Sequence, residues 1–201
     1  MTVQPRHIAR PELNLPQHEA EALRLAYNEA NVILEYGSGG STILASEMQG
    51  KHIVSVESDR DWAERIKAWL ATSPAADGTN VEILWTDIGP TENWGHPVSD
   101  EAWRNYASYP LAVWSRKNFI HPDVVFVDGR FRLGCALATA FNITRPVTLL
   151  FDDYTNRKWM QKAEEFLGQP ELIGRLGVFE VHPTKIPADK MMQIIRYMTM
   201  P

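Results

Sequence analysis

Two apolar runs constrain the fold of this chain more than any other feature. Val124–Val127 (VVFV, within 123–128) and Val147–Phe151 (VTLLF, within 147–153) lack polar alternation. A strand with one wet face alternates; one covered on both faces does not. Such runs belong in a parallel sheet sandwiched between helices. The rest of the 201 residues repeats that rhythm. In 19–30, Leu23, Ala26, Tyr27 and Ala30 recur at helical spacing, and 31–35 (NVILE) is a short strand that runs into glycine. Helix is expected over 42–49, stopped by Gly50, and strand over 52–57. Helix 59–70 follows, with Trp62, Ile66, Trp69 and Leu70 on one face and Ser58 or Asp59 as cap, then strand 81–85. After an aromatic-rich insert at 88–121 come strand 123–128, helix 133–141, strand 147–153 and helix 157–168. The last two expected strands, 177–182 and 191–198, have no helix between them, so one strand must run antiparallel. The expected architecture is one α/β domain over 1–201. Its sheet is doubly wound and mostly parallel, with seven strands, an antiparallel last strand, helices on both faces and sites at the carboxyl ends of the strands.

Composition excludes several classes of function. Hydrophobic content of 44% and charged content of 22% are ordinary for a soluble domain. The net charge is −5 and the basic residues are scattered, so no nucleic acid partner is expected. No run approaches the roughly 18 apolar residues of a membrane span. Residues 1–17 hold no apolar core of signal-peptide length. Cys135 is the single cysteine, so neither an internal disulfide nor a zinc spacing exists. Its place on an apolar helix face marks it as a core residue. A reducing, cytoplasmic setting is expected.

The stretch Asn31–Thr42, NVILEYGSGGST, places a glycine turn after the first strand. The dinucleotide fingerprint needs G-x-G-x-x-G at this point. Gly37 and Gly39 supply the first two glycines, but Thr42 stands at the third and Gly40 is out of phase. Glu35, at the strand end, would repel a pyrophosphate by about 4 kcal/mol at 4 Å for an effective dielectric near 20. A ligand with a cationic end would be favoured instead. Glu57 ends the second strand 20 residues after Gly37 (57 − 37), the spacing at which an acidic residue meets ribose hydroxyls. Glu35-Tyr-Gly-Ser-Gly resembles the first motif of class I S-adenosylmethionine-dependent methyltransferases, acidic-x-Gly-x-Gly. The resemblance extends over about 31–198 and implies a Rossmann-like sheet of seven strands with the seventh antiparallel. It also implies S-adenosylmethionine as cofactor, bound by Glu35, Gly37, Ser38, Gly39 and Glu57. Asp87 and Ile88, just past the third strand, match positions that meet the adenine in that family; a turn is the alternative for Asp87.

Asp128 ends the fourth expected strand, and Asp152 and Asp153 the fifth. Converging at one rim, the three carboxylates would repel, and a hard cation such as Mg²⁺ would relieve them. The pattern is similar to metal-dependent small-molecule O-methyltransferases, which implies Mg²⁺ on Asp128, Asp152 and Asp153. The catechol type has a catalytic lysine where Phe131 stands here. Arg130 and Arg132 offer two alternatives: they neutralise the cluster without a metal, or they clamp an anionic group on a substrate.

The insert holds Trp94, Trp103, Tyr106, Tyr109, Trp114 and His96. It forms either aromatic walls of a small-molecule pocket, with Trp94 against substrate, or a flap with its own satellite core; it also offers a surface for a homodimer. Asp128, Asp153 and His96 are the candidate general bases. The expected function is methyl transfer to a small-molecule acceptor, at oxygen. The alternatives are a methyltransferase-like nucleoside-binding protein without catalysis, a dehydrogenase-type enzyme, opposed by Glu35 and Thr42, and an aminopropyl transferase.

Overall fold

The computed structural model describes residues 9–201. The reading of the N-terminal 17 residues as lacking a signal core falls partly on residues 1–8, outside the described residues. In chain order the elements are α1 (Gln17–Glu29), β1 (Val32–Tyr36), α2 (Gly40–Ser46), β2 (His52–Glu57), α3 (Arg60–Thr72) and β3 (Asn80–Trp85). The insert follows, with short helices α4 (Trp103–Tyr106) and α5 (Ser108–Leu111). Next come β4 (Val124–Val127), α6 (Arg132–Asn142), β5 (Val147–Phe151), α7 (Glu164–Leu167), β6 (Glu171–Ile173), β7 (Leu176–Val181) and α8 (Met191–Met198). The sheet order is β3-β2-β1-β4-β5-β7-β6. Strands β1 to β5 pair in parallel, and β7 runs antiparallel to both of its neighbours. The expected mostly parallel seven-stranded sheet is therefore present. Among the described residues no helix is long and apolar enough to cross a membrane.

Two expected elements are corrected. Residues 191–198 form helix α8, not a strand, because Ile194, Tyr197 and Met198 bury at helical spacing. The missing strand is β6, three residues long and joined to β7 by a tight turn at Gly174 (φ +57). Segment 157–168 is helical but broken: a 3-10 stretch, Lys158–Ala163, precedes α7.

Successive residues of β1 and β4 face opposite sides of the sheet. Ile33, Val124 and Phe126 pack with Leu23 and Tyr27 of α1. Leu34, Tyr36, Val125 and Val127 pack with α6, α8 and the insert residues Tyr106 and Tyr109. This parity puts Glu35 on the α1 side. Trp69, Ile66 and Ala63 of α3 close a smaller cluster over Ile43 and Ile83.

Strands β1 and β4 are fastened at both ends. At the start, Asp123 Oδ2 accepts the Asn31 and Val32 amides, each at 2.9 Å. At the finish, the Asp128 and Gly129 amides donate to the Tyr36 carbonyl at 2.9 and 2.6 Å. Gly37, in the left-handed region at φ +100, lies against Gly129, and a Cβ on Gly37 would stand 2.7 Å from the Gly129 nitrogen. A Cβ on Gly129 would run into Tyr109 Oη and the Gly37 nitrogen. Gly129→Ala should therefore spread the two turns, at a cost of about 1–3 kcal/mol. Thermal denaturation should read this as a fall of about 2–4 °C per kcal/mol for a chain of this size; an unchanged midpoint would contradict the close approach.

Candidate active site

The carboxyl ends of β1, β2 and β4 open into one cavity of about 600 Å³, within the range of small-molecule sites. It lies at the point where the strand order reverses, between β1 and β4. The Gly37–Ser41 turn, Glu57 to Asp59 and Asp128 to Arg130 supply the strand-end wall. Glu12 to Leu15, Trp62 of α3 and Thr91 to Gly95 of the insert supply the rest.

Glu57 is nearly buried and organises two walls at once. Its Oε2 accepts the Ser38 amide at 3.0 Å. Its Oε1 accepts the Ser58 amide at 2.7 Å and the Asp59 amide at 2.9 Å, where α3 begins. Burial pushes the Glu57 carboxyl up, while the Asp59, Ser38 and Ser58 amides oppose that rise. With one amide on Oε2, that oxygen keeps acceptor capacity for a ligand hydroxyl. Gly39 is open, with no atom within 4 Å of where a Cβ would stand. Gly37, Ser38 and Gly39 line the cavity.

Glu35 does not. It is 0% exposed and outside the cavity wall. Its oxygens accept Tyr27 Oη at 2.6 Å and Thr42 Oγ1 at 2.5 Å. Thr42 Oγ1 also accepts the Gly39 amide at 3.0 Å. The threonine that breaks the dinucleotide fingerprint thus ties the glycine turn to a buried carboxylate. The expectation that Glu35 meets the cofactor is corrected on this geometry.

Asp87 and Ile88 are corrected likewise. Asp87 is exposed and accepts the Gly89 amide at 2.9 Å, a turn contact. Ile88 is part of the main core. The adjacent wall is formed instead by Thr91–Gly95. This loop is closed by Glu92 N to His96 O at 2.8 Å and seated on Ser58, whose Oγ donates to the Gly95 carbonyl at 3.0 Å. Within it Trp94 (φ 64) and Gly95 (φ 68) are both left-handed. Trp94 lines the cavity while 83% exposed, which presents its indole at the mouth. His96 is outside the wall and half-exposed, 3.9 Å from Glu92 Oε1, and does not join the carboxylates. Tyr106 and Tyr109 belong to the core, so most insert aromatics are packing residues. Apart from Trp94, to which the aromatic content of the insert pointed, the lining contributions of Glu12–Leu15, Trp62 and Thr91–Gly95 carry no motif signal; the spacing of Trp62 marked only a helix face.

The three aspartates after β4 and β5 are taken up by arginines. Arg175, on the β6–β7 turn, donates to both Asp152 oxygens at 2.7 and 2.9 Å. Asp153, in the left-handed region at φ 56, pairs with Arg157 at 3.1 Å and Arg132 at 3.3 Å. Arg132 also holds Asp128 Oδ1 at 2.9 Å and the carbonyls of Asp128, Gly129 and Asp152. All five of its N–H donors are occupied, so it is a brace and not a substrate clamp. Among the described residues no three His, Cys, Asp or Glu side chains form a group able to hold a metal ion. The donor set does not fit Mg²⁺, because guanidinium groups occupy the oxygens a cation would need. Phe131, where a lysine would stand in the catechol type, is fully buried at φ 51 against Tyr106 and Tyr109. Only Asp128 of the three lines the cavity. Burial and the Asp152 and Asp153 carboxylates raise its pKa to about 7 against the opposing Arg132. Because 40% of its side chain is open to the cavity, the rise is greatest when a ligand excludes water.

The lining carries five carboxylates, Glu12, Glu57, Asp59, Glu92 and Asp128, against one cation, Arg130. It is an anionic chamber, as a cationic ligand requires.

No family model and no curated protein matches the chain. Among solved structures it is similar to a methyltransferase-like protein from Silicibacter pomeroyi. The two share 67% identity over 96% of this chain and 99% of that one, with a TM-score of 0.94. It shares the fold of the O-methyltransferase TomG from Streptomyces achromogenes, solved in complex with SAM. There the identity is 16% over 80% of this chain and 78% of that one, with a TM-score of 0.50. The seven-stranded sheet, the cavity at its switch point and the 67% identical relative lead to one conclusion: the chain belongs to the class I, Rossmann-like family of S-adenosylmethionine-dependent methyltransferases.

Proposed function

We propose that the protein transfers a methyl group from S-adenosylmethionine to a small-molecule acceptor, at oxygen. The observation that carries this reading is the chamber itself: five carboxylates around an open glycine turn, with Glu57 held ready by three backbone amides. When bound, the cofactor supplies an electrophilic methyl on a positively charged sulphur. Glu57 Oε2 accepts a ribose hydroxyl, and Gly37, Ser38 and Gly39 leave room for the chain beside it. The surrounding carboxylates favour the cationic ligand over a diphosphate. Trp94 offers its indole face at the mouth to a ring or to the acceptor.

Asp128 is the group placed to take a proton from an acceptor hydroxyl. It lines the cavity, whereas Asp153 is enclosed by arginines and His96 lies outside. Arg132 fixes its carboxylate and Phe131 shields the wall behind it. Holding the acceptor oxygen in line is the larger contribution, worth roughly 7–11 kcal/mol in well-oriented systems.

Two measurements test the assignment. Isothermal titration with S-adenosylhomocysteine should show Glu57→Ala binding more weakly by about 1–3 kcal/mol, about 5- to 150-fold. Undiminished affinity would remove the ribose role. Incubating a metabolite panel with labelled methyl donor should identify the acceptor and supply the rate. An acid whose pKa is raised to about 7 is protonated below that pH and a base above it. The rate should therefore climb through about pH 7. Asp128→Asn should flatten that climb and lower the rate by about 10²- to 10⁴-fold. A variant with the wild-type profile would show that another group accepts the proton.

A further inference from the structure

The wall after β4 and β5 carries a positive charge that the protein itself does not neutralise. Four guanidinium groups, Arg130, Arg132, Arg157 and Arg175, meet three carboxylates there. Asp152 pairs with Arg175, Asp153 with Arg157 and Arg132, and Asp128 with Arg132. Four minus three leaves one charge, and Arg130 makes no ion pair among the described residues. Its Nε is buried without a hydrogen-bond partner, although the residue lines the cavity. Its backbone is fixed, with Cys135 Sγ donating to the Arg130 carbonyl at 3.4 Å. Burial and the Arg132 guanidinium push the Arg130 pKa down, a strain that an added anion would relieve. Every other charged group on the lining is a carboxylate. An anionic group entering the cavity is therefore repelled everywhere except here.

We propose that Arg130 receives a carboxylate of a bound ligand, through the planar fork that matches carboxylate geometry. The inference rests on the methyltransferase reading of the same cavity. That carboxylate comes either from the amino-acid end of the cofactor or from the acceptor, and one set of titrations separates the two. Wild type, Arg130→Gln and Arg130→Lys are titrated with S-adenosylhomocysteine and with 5′-methylthioadenosine, which lacks the amino-acid end. The complexes saturated with S-adenosylhomocysteine are then titrated with benzoate and with neutral benzamide. If the cofactor supplies the carboxylate, Arg130→Gln weakens S-adenosylhomocysteine by about tenfold or more and methylthioadenosine by less than about twofold. If the acceptor supplies it, S-adenosylhomocysteine is unaffected, while benzoate loses about tenfold in the variant and benzamide nothing. Arg130→Lys, which keeps the charge and loses the fork, falls between in either case and decides the question should the glutamine variant not fold. Equal weakening of both nucleosides, or no change in any titration, overturns the inference. Failure of wild type to bind S-adenosylhomocysteine at all would instead overturn the methyltransferase reading.

Discussion

The glycine turn depends on a carboxylate that never reaches the cavity. Glu35 is fully buried, where an ionised group without partners would cost several kcal/mol. Burial raises its pKa, and the hydroxyls of Thr42 and Tyr27 counter that rise. Through those two bonds β1, α1 and α2 are locked together. Thr42 then holds the Gly39 amide, and Ser38, next in the turn, gives its amide to Glu57. Ser38 Oγ and Ser55 Oγ, 2.8 Å apart, extend the same polar cluster to β2. One buried acid thus sets the turn on which the cavity is built.

Two charge systems sit side by side without mixing. The cavity surface is acidic, its five carboxylates drawn from four separate parts of the chain. The rim behind β4 and β5 is an arginine–aspartate lattice in which Arg132 has all its donors engaged and Arg175 spans both Asp152 oxygens and the Asn14 carbonyl. Asp128 and Arg130 stand where the two systems meet. In the lattice the aspartate oxygens are held by guanidinium donors, which a cation would have to displace.

Much of this was legible in one dimension. Gly37, Gly39, Glu57 and Asp128 reach the cavity because a strand followed by a glycine or an acid has its next residues at the sheet rim, whatever the neighbours are. Arg175, the partner of Asp152, was invisible, since it lies on the turn of a three-residue strand with almost no apolar signature. Met191–Met198 misread as a strand because an apolar run of that length satisfies both periods until its burial partners are known.

The order of strands and helices, the parallel core and the position of the glycine turn followed from hydrophobic pattern and backbone chemistry alone, because those are local properties. The depth at which each acid sits did not. Glu35 lies one residue before the end of β1 and pairs with Ser55, so it shares a sheet face with Glu57, but Glu57 ends β2 two residues nearer the rim; α1 and α2 cover the first, while the second reaches the cavity. Tertiary structure also decided that arginines, and not a cation, would meet the aspartates. Charge pairing depends on distances of a few ångströms between segments far apart in sequence, and only the folded chain sets those.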